Sequence, residues 1–232
     1  MNVLDLFSGI GAFSLGLERA GMRTVAFCEA NERKRAVLAK HWPHIPCFPD
    51  VATLSGNQIR ERVDVICGGF PCQDLSLAGQ RAGLAGERSG LWTHYARLIG
   101  ELRPRFVIVE NVPGLLVRGM DRVLGDLAAL GFDAEWDCIP AAALGAPHLR
   151  ARIWLLAYSR GFRDEAHDTL CAGRSELILC PGWAPEPNTD RVDDGTPGWV
   201  VNFAGDAVIP QIPEIIGRAI MTAVTSSQTT QE

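Results

Sequence analysis

Short apolar runs separated by turns set the pattern of the first 158 residues. Strands are predicted at 2–7, 24–28, 45–50, 63–67, 106–109, 132–139 and 153–158. A run such as 106–109 carries no polar position, which is typical of a strand buried on both faces of a parallel sheet. Helical spacing is clearest at 91–102, where the apolar residues share one face and Pro104 ends the helix, and it recurs at 119–130. This alternation predicts an α/β fold.

The first predicted strand runs into a glycine turn. Gly9 and Gly11 are followed by Ser14 at the position where a dinucleotide-binding fingerprint has its third glycine, which argues against a dinucleotide oxidoreductase. The second strand ends in Glu29, about twenty residues past the turn, where such folds place the carboxylate that accepts both ribose hydroxyls. The alternative is that Glu29 only caps the helix that starts near Asn31.

The stretch VICGGFPCQDLS, residues 65–76, places a Pro-Cys pair where a loop leaves the end of a strand. A cysteine is a strong nucleophile when its thiolate is populated, which needs an electropositive and partly open setting. Cys72 has such a position, although a buried structural cysteine is the commoner fate of a free thiol. Residues 74–90 are rich in glycine, serine, alanine and arginine, and they predict either a mobile lid over the site or a plain flexible loop.

Two further features carry charge at strand ends. Glu110 follows the apolar run 106–109 directly, and a carboxylate there is expensive to bury without a partner. Arg150 and Arg152 alternate, so an extended chain would point both side chains to one side. These arginines are interpreted as contacts to a base and a phosphate, with a solvated strand edge as the alternative.

Composition limits the possible classes of protein. The apolar residues, 47% of the chain, form no run of eighteen, so no membrane span is predicted. The seven cysteines are scattered without a CxxC pair, which argues against a structural zinc site and a disulfide framework, and favours a reducing compartment. The formal net charge of −5 is unusual for a DNA-binding protein, but residues 148–163 carry four arginines and no acid.

Four stretches occur together and in a fixed order: DLFSGIGAFSLG at 5–16, VICGGFPCQDLS at 65–76, VIVENVPG at 107–114 and AAALGAPHLRARIWLLA at 141–157. In this combination the chain resembles the carbon-5 cytosine DNA methyltransferases. The resemblance covers residues 2–158 and resumes at about 191–221. It implies a Rossmann-like S-adenosylmethionine-dependent methyltransferase fold, with a mostly parallel twisted sheet and helices on both faces. The implied activity is that of a compact bacterial or phage DNA (cytosine-5-)-methyltransferase, active in the cytoplasm.

The resemblance also implies the roles of individual residues. Cys72 would attack carbon 6 of an extruded cytosine, Glu110 would neutralise ring N3, Arg152 would hold O2, and Arg150 would support the site or a phosphate. The implied cofactor is S-adenosylmethionine, with S-adenosylhomocysteine as product and no metal. The implied cofactor contacts are Phe7, Gly9, Gly11, Glu29, Asp50, Val51, Gly69, Pro71, Leu91, Asp206 and Ala207. The implied contacts to double-stranded DNA are Gln73, Ser76, Arg81, Arg88 and Arg150.

The predicted domain organisation has a catalytic and cofactor-binding domain at 1–158, a short remnant of the target recognition region at 159–198, a returning segment and helix at 199–224, and a disordered tail at 225–232. Residues 164–198 contain eight acids and two arginines, a poor composition for reading a major groove. Asp206 stands where the family has asparagine, and an ionised aspartate cannot donate a hydrogen bond. The alternative function is therefore a scaffold that binds cofactor and needs a partner protein for DNA recognition.

Overall fold

The computed structural model describes residues 1–71, 90–146, 150–160 and 207–229. Seven strands form one sheet in the order β3-β2-β1-β4-β5-β7-β6, in which β7 alone of these seven runs against the others. The strands are β1 (Asn2–Leu6), β2 (Arg23–Cys28), β3 (Cys47–Phe48), β4 (Val65–Gly68), β5 (Phe106–Asn111), β6 (Phe132–Pro140) and β7 (Ala151–Ser159). The mostly parallel sheet expected from the sequence is confirmed.

Six α-helices are found in the described ranges: α1 (Ala12–Arg19), α2 (Glu32–His41), α3 (Leu91–Leu102), α4 (Leu115–Arg118), α5 (Met120–Ala129) and α6 (Gln211–Thr229). The α2 helix begins where the Asn31 side chain accepts hydrogen bonds from the amides of Arg33 and Lys34. None of the described helices has the length and apolar character needed to cross a membrane.

Helices cover both faces of the sheet, and the strands alternate between them. In β5, Val107 and Val109 belong to the buried cluster that includes α3 and α5, while Phe106 and Ile108 belong to the cluster that includes α1 and α6. A strand with both faces covered must be apolar on both sides, which explains its uninterrupted hydrophobic run. Helices on both faces are therefore confirmed as well.

Three neighbouring strands end at one level. Leu6 of β1 lies opposite Gly68 of β4, and Gly68 lies opposite Val109 of β5. The next residue along each strand therefore opens the glycine turn, the Pro-Cys segment and the position of Glu110, respectively. The order of the strands reverses between β1 and β4, and open α/β sheets bind their ligands at the carboxyl ends of strands beside such a reversal.

The end of the chain differs from the prediction. Helix α6 continues to Thr229, so residues 225–229 are not the disordered tail that their polar sequence suggested. Hydroxyl groups on this stretch bond to the preceding turn, with Thr225 and Ser226 donating to the carbonyls of Met221 and Thr222. The rest of the predicted tail, residues 230–232, lies outside the described residues.

Helices α1 and α6 pack closely through glycines. A Cβ added at Gly16 would lie 2.2 Å from the Pro210 carbonyl oxygen, and one at Gly217 would lie 2.8 Å from the Ala20 Cβ. Backbone atoms occupy the space at Gly16, so a side chain there cannot be accommodated by a rotamer change. This contact holds the α6 segment, which leads back to the functional edge, against α1.

We expect Gly16→Ala to destabilise the protein by about 1–3 kcal/mol, because the added methyl group forces α6 away from α1. The matched control is Gly125→Ala in α5, where an added Cβ meets nothing within 4 Å. Alanine is the better helix former, so this control is expected to gain about 0.5–1 kcal/mol. Urea unfolding of both variants measures the effects, and a Gly16→Ala protein as stable as the Gly125→Ala protein would contradict the packing argument.

Candidate active site

A cavity of about 520 Å³ opens at the carboxyl ends of β1, β2, β4 and β5. Its wall includes most of the residues that the resemblance assigned to cofactor and base. These are Phe7, Gly9, Glu29, Asp50, Val51, Gly69, Pro71, Leu91, Glu110, Arg150, Arg152 and Ala207. Gly11 is not part of the wall. The predicted residues Cys72, Gln73, Ser76, Arg81, Arg88 and Asp206 lie outside the described residues.

The turn after β1 has an unusual backbone. Phe7, Gly9 and Gly11 all have positive φ, at 54°, 57° and 88°. A Cβ at Gly9 would meet nothing within 4 Å, whereas one at Gly11 would lie 2.5 Å from the Trp42 ring. Gly9 is therefore required for its backbone conformation beside the open cavity, and Gly11 is required for packing behind it.

Ser8 fixes this turn from inside. Its hydroxyl donates to the Asp5 carbonyl at 2.6 Å and accepts from the Cys28 amide at 3.1 Å. Its carbonyl accepts the Gly11 amide at 2.8 Å. The turn is thereby tied to two strands, and the backbone amides along it are held in place at the cavity.

Glu29 does not cap α2. Its Oε2 accepts the Gly9 amide and its Oε1 accepts the Asn31 amide, each at 2.8 Å, while Asn31 itself caps the helix. The side chain thus joins the end of β2 to the glycine turn. Each carboxylate oxygen keeps a further lone pair, so Glu29 can also accept from two adjacent hydroxyls of a ligand in the cavity.

The opposite part of the wall combines an acid with apolar surface. Asp50 accepts the Ala52 amide through Oδ1 at 2.8 Å. The Phe7 ring lies on the cavity wall and is supported by the buried Tyr95, with ring centroids 6.2 Å apart and planes 22° from parallel. An aromatic ring and two carboxylates on one cavity wall suit a planar, amine-bearing ring joined to a diol, so the wall fits the adenosine part of S-adenosylmethionine.

A buried ion pair occupies another part of the cavity. Arg152 Nε lies 3.1 Å from Glu110 Oε1, and the two side chains are 28% and 13% exposed. Burial raises the pKa of Glu110, while the charges of Arg152 and then Arg150 act to lower it. A Cβ at Gly69 would lie 2.7 Å from Glu110 Oε2, so only glycine leaves room for the acid here. Glu110 therefore has the partner that its burial requires.

Arg150 corrects one inference from the sequence. Its φ is +25°, so the backbone there is not extended and alternation does not decide where its side chain points. Its Nη2 instead donates to the Ala207 carbonyl at 2.7 Å. Both arginines line the cavity, but Arg152 contacts the acid and Arg150 ties the start of the α6 segment to the site.

Sequence reasoning missed two buried polar residues near the cavity. Asn111 donates to the Phe70 carbonyl at 3.1 Å and accepts the Val112 amide at 2.9 Å, which joins the end of β5 to the Pro-Cys segment. Asp5 lies fully buried within β1. The same sequence signal marks both residues. Each is a polar residue inside an apolar run that must be buried, and a buried polar group needs a hydrogen-bond partner.

Metal binding has no support in the described residues. In residues 1–71, 90–146, 150–160 and 207–229, no group of three His, Cys, Asp or Glu side chains is arranged to hold an ion. The cavity is lined instead by carboxylates, guanidinium groups, a lysine, backbone amides and the rings of Phe7, Phe13 and Phe70.

Curated proteins similar to this chain are Type II methyltransferases. The Type II methyltransferase M2.BsuMI of Bacillus subtilis is 38% identical over 167 residues, which are 68% of this chain and 42% of that protein. M.CviJI of Paramecium bursaria Chlorella virus IL3A is 34% identical over 70% of this chain and 44% of its own length. The chain thus spans less than half the length of these relatives.

Solved structures agree in fold. A DNA modification methyltransferase encoded within an Escherichia coli prophage superposes with a TM-score of 0.60 at 28% identity, over 70% of this chain and 48% of that one. The Entamoeba histolytica methyltransferase EhMeth has a TM-score of 0.61 at 20% identity, over 68% and 52% of the two chains, and at that identity the likeness concerns the fold alone. The Rossmann-like methyltransferase fold expected from the sequence is confirmed.

Residues 1–176 match the family described as C-5 cytosine-specific DNA methylase, which is more than half of the chain. Together with the 38% identical relative, this match shows that the chain belongs to the C-5 cytosine-specific DNA methylase family.

Proposed function

We propose that the chain transfers a methyl group from S-adenosylmethionine to carbon 5 of a cytosine extruded from double-stranded DNA. The observation that carries this proposal is the buried Glu110–Arg152 pair, which shares one cavity with the glycine turn and with Pro71. An acid beside a guanidinium suits a ring that offers N3 and O2 on adjacent positions. DNA as substrate and a reduced thiol as nucleophile are consistent with activity in the cytoplasm.

Cys72 is the proposed nucleophile, on the basis of the family resemblance. It follows Pro71 in the chain, and Pro71 lines the cavity. Carbon 5 of cytosine is a poor nucleophile, and addition of a thiolate to carbon 6 converts the ring to an enamine that can accept a methyl group at carbon 5. Loss of the carbon-5 proton then expels Cys72 and restores the aromatic ring.

Glu110 is proposed to stabilise charge on the ring. Thiolate addition places negative charge on the ring, which a carboxyl group can neutralise by sharing a proton with N3. Burial raises the pKa of Glu110, which favours the protonated form needed for this task. Arg152 limits that shift and, as a fixed cation, is suited to donate to O2 of the same ring. The base must leave the duplex to reach this buried pair.

The cofactor would supply an electrophilic methyl group. The proposed protein contacts are Phe7 against the adenine, Asp50 at its exocyclic amine and Glu29 at the ribose hydroxyls. The backbone near Gly9 would face the methionine part. Wall residues Val51, Leu91 and Ala207 are suited to exclude water from the pocket. The positions of these protein groups come from the structure, and the position of the ligand among them is proposed.

A second candidate function is a cofactor-binding unit whose DNA recognition comes from another protein. The observation that favours it is the composition of residues 164–198, which contain eight acids and two arginines and are poorly suited to reading a major groove. Calorimetry with S-adenosylhomocysteine, combined with DNA retention at low salt, distinguishes the two functions. Cofactor binding without DNA retention favours the second candidate, and retention together with methylation favours the first.

The chain is expected to form a stable covalent adduct with DNA that contains 5-fluorocytosine in its target site, because the missing proton blocks expulsion of the cysteine. The adduct would appear as a slower band in denaturing gels when S-adenosylmethionine is present. Cys72→Ser should abolish it. The matched control is Cys138→Ser, because Cys138 is an exposed thiol on β6 and is expected to be dispensable. An adduct that survives Cys72→Ser would contradict the nucleophile assignment.

Glu110→Gln is expected to lower kcat by about 100- to 10,000-fold, because it removes a positioned proton donor at the ring. Affinity for S-adenosylhomocysteine should change little, since Glu110 is assigned to the base. Arg152→Ala should cause a comparable loss. The matched control is Arg160→Ala, which removes the same charge from a side chain that is 63% exposed just beyond the other end of β7. Equal activity of the Arg152→Ala and Arg160→Ala proteins would contradict the assigned site.

A further inference from the structure

Asp5 is a fully buried acid that the proposed chemistry does not use. It lies in β1 on the face covered by α1 and α6, since its neighbours Val3 and Cys67 belong to that cluster. The Ser14 hydroxyl donates to Oδ2 at 2.7 Å. Among the described residues, Oδ1 has no hydrogen-bond partner, and the Cys67 thiol lies against the carboxyl group. A buried carboxyl that is only partly satisfied is costly and calls for an explanation.

One explanation is that Asp5 caps α1 from a neighbouring strand. The residue at the N-terminus of this helix is Gly11, which has no side chain to accept the free amides of the first turn. The hydroxyl of Ser14, the third residue of the helix, donates to the Asp5 carboxylate, and the Ser14 amide lies near enough to lower the pKa of that carboxyl. An amide at this position is the group from which the side chain of a capping residue normally accepts.

Asp5 also holds the turn that lines the cavity. Its carbonyl accepts the Ser8 hydroxyl at 2.6 Å, and the Ser8 carbonyl accepts the Gly11 amide at 2.8 Å. Through its backbone and its carboxyl, Asp5 is therefore bonded to both sides of the glycine turn. Phe7, two residues further along the chain, lines the cavity, so Asp5 lies directly behind the turn at the cavity wall.

Among the titratable groups buried together here, Asp5 is the one expected to change charge near neutral pH. Burial raises the pKa of Asp5 to about 7, the bonds from Ser14 oppose that rise, and the charge of Glu29 adds to it. The other titratable groups around Asp5 are the thiols of Cys28, Cys47 and Cys67 on β2, β3 and β4, and the phenol of Tyr95 on α3. The pKa of each is raised, so all four stay neutral at pH 7.

We propose that Asp5 is a positioning residue whose ionisation is linked to cofactor binding. The ionised carboxylate caps α1 and favours a cationic ligand above the glycine turn. The protonated form does both less well. This inference rests on the proposed cofactor. The direction of the pH dependence follows from linkage. Because the ligand prefers the ionised carboxylate, the protonated protein must release a proton when the ligand binds. Cofactor affinity therefore rises as pH rises through 7.

Calorimetry from pH 5.5 to 8.5 tests this inference, with S-adenosylmethionine, which carries a sulfonium, and S-adenosylhomocysteine, which does not. Two buffers of different ionisation enthalpy count the protons released. The wild-type chain is expected to bind S-adenosylmethionine about tenfold more tightly at the upper end of this pH range than at the lower end. This change corresponds to a shift of roughly one unit in the pKa of Asp5 on binding. The dependence should be weaker for S-adenosylhomocysteine.

Asp5→Asn keeps the shape and an acceptor for Ser14 but cannot ionise, so we expect it to lose this pH dependence and the proton release. The amino group of the ligand titrates equally with both proteins and cancels in the comparison. The matched control is Asp137→Asn, the same change at an exposed position on β6, and it should behave as wild type. An Asp5→Asn protein with the wild-type pH dependence would overturn the inference.

Two further results keep the test decisive. If Asp5→Asn does not fold, Ser14→Ala removes the hydroxyl bond that lowers the Asp5 pKa, so the midpoint of the affinity curve should move to higher pH, and an unmoved midpoint would overturn the inference. If neither ligand binds the wild-type chain at any pH, the proposed function fails, and this inference fails with it. Binding without a pH dependence that involves Asp5 overturns this inference alone.

Stability of the chain without ligand gives an independent readout. The pKa of Asp5 is higher in the folded protein than the ordinary value of 3.8. The folded state therefore holds a proton that the unfolded state has lost between about pH 4 and 7, so this contribution to stability declines as pH rises across that window. Urea unfolding should show the decline in wild type and a smaller one in Asp5→Asn. An equal decline in both would contradict the assigned ionisation.

Discussion

The register of three parallel strands is the constraint on which the site depends. Leu6, Gly68 and Val109 lie side by side in β1, β4 and β5. Because these strands stop at one level, the glycine turn, the Pro-Cys segment and Glu110 leave the sheet together, although up to a hundred residues separate them in the chain. The antiparallel strand β7 completes the arrangement, since Ile153 lies opposite Asn111 and the preceding Arg152 reaches the same edge. A slip of one residue in any of these pairings would turn a functional side chain to the wrong face.

Three buried or half-buried acids near this edge have different partners, and the partners suit different tasks. Glu29 accepts two backbone amides and forms a fixed part of the wall. Glu110 pairs with a guanidinium, which permits a carboxyl to be buried beside a reacting ring. Asp5 has only a hydroxyl, an amide and a thiol around it, so its charge is the least compensated of the three. In the proposed mechanism, these different neighbours make Glu29 a rigid acceptor, Glu110 a proton donor and Asp5 a group sensitive to pH.

Much of this arrangement could be predicted from the sequence, because motifs at strand ends combine a local pattern with a topological rule. The strands, helix 91–102 and the cavity residues follow from apolar runs and from the resemblance. The conformation of Arg150 could not be predicted, because a positive φ is unusual for arginine and its hydrogen-bond partner Ala207 is fifty-seven residues away in the chain. The extension of α6 past residue 225 has the same origin, since a polar sequence reads as a tail until tertiary contacts hold the helix. The role of Asp5 could not be predicted either, because its partner Ser14 reaches it only when α1 packs against β1.

The central claim is that one cavity holds both the methyl donor and the flipped base. A crystal structure of the whole chain with S-adenosylhomocysteine tests it most directly. The account predicts the adenosine between Phe7 and the two acids Glu29 and Asp50, with the homocysteine along the glycine turn and its sulfur facing the side of the cavity that holds Glu110 and Arg152. A ligand bound elsewhere, or a Glu110 and an Arg152 that point away from the occupied cavity, would contradict it.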